Sequence, residues 1–81
     1  MNKTISLKIK RGLTIEKEKK ILQFKGLLIS NSYTDIIHIA DKNEDCYLNF
    51  FTILPEKRKE ILDFITRMLK DNNLTEEVII V

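Results

Sequence analysis

Twice along the chain, a strand-like run gives way to a run whose apolar residues recur every three or four positions, and in the first of them apolar and polar residues alternate strictly. The first is TISLKIK, residues 4–10, with Ile5, Leu7 and Ile9 on one side and Thr4, Ser6, Lys8 and Lys10 on the other. Successive side chains point to opposite faces of a strand, so this spacing predicts a half-buried strand. Gly12 breaks the pattern, and Thr14 suits a helix N-cap, with Glu16 and Glu18 where carboxylates meet the positive end of a helix dipole. Ile21, Phe24 and Leu28 then follow helical spacing, as do Leu22 and Ile29. Gly26 weakens a helix there by about 1 kcal/mol relative to alanine, so residues 14–30 also read as strands.

The second half repeats the theme. TDIIHIA (34–40) and CYLNFFTI (46–53) are rich in β-branched and aromatic residues and flank the polar DKNED. Pro55 suits the first turn of a helix, and behind it Ile61, Leu62, Ile65, Met68 and Leu69 draw an apolar stripe. Glu56, Lys57, Arg58, Lys59, Glu60 and Asp63 are expected on its solvent side. DNN (71–73) ends that helix, and EEVIIV supplies a last strand. The order strand, helix, strand, strand, helix, strand is the split βαβ pattern of the ferredoxin-like sandwich, in which two helices cover one face of a four-stranded antiparallel sheet. If residues 14–30 are strands, the alternative is a small strand-rich domain closed by one C-terminal helix.

At 81 residues the chain is expected to form a single domain, residues 1–81. Its 43% hydrophobic and 32% charged residues suit a folded globular protein. Cys46, the one cysteine, has no partner for an internal disulfide, and no apolar run approaches the ~20 residues of a membrane helix. A cytoplasmic protein without a membrane span is the expectation. Charge is uneven: residues 1–26 hold eight basic and two acidic residues, residues 27–81 six basic and ten acidic. Such asymmetry can steer an anionic partner or orient an assembly.

Motifs for chemistry are sparse. In DKNEDC, residues 41–46, Asp41, Asn43 and Asp45 have the one-three-five spacing of a calcium loop. That loop needs glycine at its sixth position and glutamate at its twelfth, where this chain has Cys46 and Thr52. A hairpin tip is the better reading. His38 and Cys46 have no second pair at zinc-ligand spacing. No phosphate-binding glycine loop or nucleophile elbow is present. The expectation is a non-enzyme with no metal and no cofactor.

The free face of the sheet is the expected working surface. Asn49 is taken as outward, which turns Tyr47, Phe51 and Ile53 outward with it and Cys46, Leu48 and Phe50 inward. His38, Ile36 and Ala40 are expected outward on the neighbouring strand. Ile36, His38, Tyr47, Asn49, Phe51 and Ile53 then form an interface for a protein partner or a homodimer, in a small regulatory module. Lys8 and Lys10 beside Tyr47 and Phe51 give the second reading, a site for single-stranded nucleic acid, where bases stack on aromatics over a neutralised backbone. The layout resembles that of RNA-recognition motifs, whose third strand runs basic, glycine, aromatic, small, aromatic. DCYLNFFT departs from it at the basic and glycine positions, and Asn49 stands where the second stacking aromatic belongs. A small-molecule-sensing domain is the third reading.

For DKNEDC the expected outcome is simple: calcium leaves the melting temperature unchanged. A calcium-dependent rise that Asp41→Ser with Asp45→Ser abolishes would overturn the hairpin reading.

Overall fold

The first strand of the computed structural model, which describes residues 3–81, is β1 (Thr4–Lys10), and its burial alternates as its sequence does. It is followed by α1 (Ile15–Ser30), β2 (His38–Asp41), β3 (Cys46–Thr52), α2 (Arg58–Asp71) and β4 (Val78–Ile80). A single 3-10 turn at Pro55–Lys57 leads into α2. The strands form one four-stranded sheet in the order β2-β3-β1-β4, and each neighbouring pair is antiparallel. The chain is thus a small α+β domain with a four-stranded antiparallel sheet and two helices. Among the described residues, no helix is long and apolar enough to cross a membrane.

Residues 15–30 are helical, which corrects the strand-rich alternative. Local chemistry supports the helix: the N–H of Lys17 donates to Thr14 Oγ1 at 3.3 Å, and Glu16 and Glu18 occupy the first turn. Both helices end alike. After α1, Tyr33 N–H donates to Leu28 O and Ser32 N–H to Ile29 O; after α2, Leu74 N–H donates to Leu69 O and Asn73 N–H to Lys70 O. This double bond pattern satisfies the last free carbonyls and needs one residue in the left-handed region. Ser32 at φ 61° and Asn73 at φ 57° take that conformation. Asparagine tolerates it; serine holds it at a cost.

One core joins the parts. Ile21, Phe24 and Leu28 of α1 and Ile61, Ile65 and Leu69 of α2 are buried together with Ile5, Leu7 and Ile9 of β1 and Phe51 of β3. Phe64 carries the helix-to-helix contact, stacking on Phe24 at 6.5 Å and meeting the Tyr33 ring edge-on at 5.3 Å. Two polar ties cross the fold. Arg58 is not confined to a solvent face as the sequence suggests, because its Nη1 donates to the carbonyl of Thr4 at 3.1 Å and fastens the start of α2 to the start of β1. Lys17 Nζ donates to Glu77 Oε2 at 2.7 Å, and this hydrogen bond holds the Glu77 carboxyl below the usual carboxylate range. A depressed carboxylate stabilises the fold near neutral pH, and that contribution is lost as pH falls through its folded-state pKa.

Two substitutions test this description by thermal or denaturant unfolding. Ile65→Ala empties a fully buried site and is expected to cost about 2–5 kcal/mol. Ser32→Gly removes the left-handed penalty and is expected to raise stability by about 1 kcal/mol. A loss of stability in the glycine variant would show that the helix cap is misassigned.

Candidate functional site

The register of β3 on β1 decides which side chains are available. Ile5 lies opposite Phe51, Leu7 opposite Asn49 and Ile9 opposite Tyr47. Directly opposed residues share a face, so the buried side of β1 takes Phe51, Asn49 and Tyr47 with it. Phe51 and Asn49 are 0% exposed and Ile53 is 7% exposed, so these three are core residues. Tyr47 is half-buried at the margin of the core. The outward placement of Tyr47, Asn49, Phe51 and Ile53 is corrected, and with it the pairing of Lys8 and Lys10 with Tyr47 and Phe51. CYLNFFT is apolar in both parities apart from Asn49 and the terminal Thr52, so its pattern alone points Asn49 to solvent. The pairing with β1 overrules that assignment.

The other face of the sheet holds the residues expected inside. Lys8 lies opposite Leu48 on one flank and Ile79 on the other, Ser6 opposite Phe50, and Lys10 opposite Cys46. On β2, His38 lies opposite Phe50 and Ala40 opposite Leu48. The His38 ring stacks on Phe50 at 5.1 Å with 20° between planes. Val81 N–H donates to Ser6 O, which extends the same rows. His38 thus falls on this face as expected, beside Leu48 and Phe50. Ile36 precedes β2 and is 63% exposed, while Ile79 and Val81 are 43% and 61% exposed. Lys8 and Lys10 also belong to this face, so a basic and aromatic pairing exists, but through Phe50 alone. The signal that could have found Phe50 is the alternation of β1 itself, once Leu7 is matched to Asn49.

DKNED is the turn between β2 and β3. Asn43 Oδ1 accepts from the N–H of Asp45 at 2.8 Å and of Cys46 at 2.9 Å, the self-capping of an Asx turn. Arg11 braces it, bonding Asp41 at 2.6 Å and the Asn43 carbonyl at 3.2 Å while lying 5.4 Å from the centre of the Tyr47 ring. Burial pushes the Tyr47 hydroxyl pKa up, nearby Glu18 adds to the rise, and Arg11 opposes it. Asp41 and Asn43 are therefore engaged in holding a turn. Among the described residues, no three His, Cys, Asp or Glu side chains gather as a metal site would require. An open groove of about 510 Å3 beside α2 is lined by Tyr33, Glu60, Asp63, Phe64 and Arg67, away from every residue proposed from the sequence.

Asn49 is the anomaly of the site. It is fully buried, and neither its side-chain oxygen nor its nitrogen has a hydrogen-bond partner. A buried amide left unpaired costs about 1–3 kcal/mol.

No protein-family model, curated protein or solved structure matches this chain at a significant level.

Asn49→Leu, nearly the same shape, is expected to raise stability by about 1–3 kcal/mol in denaturant unfolding. A clear loss would mean that the amide makes an interaction on which the fold depends.

Proposed function

We propose that this protein is a non-enzymatic binding module of ferredoxin-like architecture, cytoplasmic, working through the sheet face that carries Leu48 and Phe50. The strand order, the antiparallel pairings and the shared core of α1 and α2 support that architecture. The observation that carries the functional reading is the composition of the rows. Ala40, Leu48, Lys8 and Ile79 make one, and His38, Phe50, Ser6 and Val81 make the next. Aliphatic and aromatic groups outnumber the lysine, and apolar surface gathered in this way on a small protein suits a protein partner. Lys8 lays its alkyl stem between Leu48 and Ile79, and the ammonium groups of Lys8 and Lys10 tune association rate and salt dependence.

Nucleic-acid binding is the second reading. One observation favours it: Phe50, with His38 stacked on it, has Lys8 as a diagonal neighbour and Lys10 further along the same face, a short stacking platform.

Phe50→Glu separates the readings. A carboxylate at the centre of an apolar contact must be desolvated or protonated, either of which is costly. The variant is expected to fold normally and to lose its protein partner, read as the mass of the complex by light scattering. Phe51→Glu, one residue on, is expected to unfold the domain. Lys8→Ala with Lys10→Ala is expected to change protein binding little. If those lysines instead abolish binding to a single-stranded oligonucleotide by a wild-type monomer, with the steep salt dependence of phosphate contacts, the second reading replaces the first.

A further inference from the structure

The edge of the sheet at β2 presents a different surface. Ile39 lies opposite Asn49, on the face that elsewhere forms the core, yet it is 66% exposed. The helical layer does not cover it. Along α1, Ile15, Leu22 and Ile29 recur every seven residues on one stripe and are 72%, 64% and 46% exposed. That stripe is turned towards β2: Leu22 and Lys25 line a groove of about 190 Å3 with Tyr47, and Tyr47 lies opposite Asp41 of β2. An exposed apolar step therefore runs beside a strand whose outer backbone groups pair with nothing in the sheet. Natural edge strands are usually guarded by shortness, proline, a bulge or an inward-pointing charge; β2 is short and sets Asp41 on the same side as Ile39, but Arg11 neutralises that carboxylate, and neither proline nor bulge interrupts the strand.

We propose that β2 pairs antiparallel with β2 of a second copy, so that two sheets become one and the α1 stripes close over the seam. Charge favours this occupant. Residues 34–45 carry Asp35, Asp41, Glu44 and Asp45 against Lys42, whereas α1 carries four lysines against Glu16 and Glu18. Pairing brings the acidic segment of each copy beside the basic helix of the other; Asp41 is neutralised by Arg11 of its own chain, so Asp35, Glu44 and Asp45 carry the attraction.

The register follows from the pattern of the strand. In a twofold antiparallel pair, opposed residues share a face, so the axis must pass beside one residue and its own copy. An axis at His38 opposes Asp35 with Asp41 twice, and one at Asp41 opposes it with itself. An axis at Ala40 sets Ile39 against Asp41, so the exposed Ile39 never meets its own copy. The axis at Ile39 sets Ile39 on Ile39, His38 on Ala40, and Asp41 on Ile37, with no like charges opposed. Across that axis the two helices run antiparallel, and the Leu22 and Ile29 stripes converge. The pairing leaves the Leu48 and Phe50 face open, so it is independent of the function proposed above.

The test is solution mass for the whole chain, by sedimentation in the micromolar range. The wild type is expected to be a dimer. Ile39→Lys places an inward charge on the edge and is expected to give a folded monomer, since Ile39 contributes little to the core. Phe50→Glu is expected to remain dimeric. Ile39→Cys in a Cys46→Ser background is expected to cross-link on oxidation, because opposed Cα atoms about 4.5–5.5 Å apart suit a disulfide. A monomeric wild type, a dimer that Ile39→Lys leaves intact, a dimer that Phe50→Glu dissociates, or a dimer that the cysteine fails to cross-link would each overturn the proposal.

Discussion

The alignment of Leu7 with Asn49 is the constraint on which the rest of the molecule depends. Seven consecutive residues of β1 pair with seven of β3, and a slip of one would turn every side chain of β3 over. Phe51 would leave the core, Phe50 would enter it, and the apolar surface presented to solvent would change identity. The register persists although it buries an amide with no hydrogen bond, so the packing of Ile5, Ile9 and Phe51 outweighs that cost. Core and working surface are two readings of one alignment.

Charge organisation builds on that frame. The basic N-terminal third is not presented as one patch. Lys8 and Lys10 fall on the face with Phe50, Lys17 is committed to Glu77, Lys25 is partly buried, and Arg11 is committed to the β2–β3 turn. Burial lowers the Lys25 pKa, as desolvation disfavours an ammonium. An electrostatic footprint for a polyanion is thereby diluted, while the apolar groups of β2, β3 and β4 still outnumber the lysines of β1 on that face. That balance is what favours the proposed protein partner over a polyanion.

Much of the fold was legible in the sequence because its elements carry strong periodicity. TISLKIK has one solution as a strand, and the stripe of Ile61, Ile65 and Leu69 has one as a helix; both are observed where expected. The hairpin tip at DKNED was legible because Asn and Asp cap turns with their own side chains. The first helix was harder, since Gly26 and the exposed Leu22 and Ile29 blur its apolar face, and its cap at Thr14 was the deciding local signal. The candidate site was the least legible. His38 and Ile36 are exposed as expected, but Tyr47, Asn49, Phe51 and Ile53 are not on the open face, because a strand apolar on both sides has no parity of its own. Only pairing with a strand 36 to 48 residues away supplies it. The helix ends were invisible for a related reason: serine at position 32 gives no hint of a left-handed residue.

The pairing of β4 with β1 has a consequence for how the molecule comes into being. Leu7 lies opposite Ile80, and Val78 seals the core beside Ile9, so the sheet joins the two ends of the described chain. During synthesis, β1, α1, β2 and β3 leave the ribosome before the strand that covers the outer edge of β1 exists. Until then, the unpaired backbone of β1 and the apolar row behind it stay open to any extended chain nearby. Lysines at positions 8 and 10 keep that waiting edge charged, which is a common defence against pairing with the wrong strand. The two lysines would then guard the nascent chain, whatever they contribute to the finished protein.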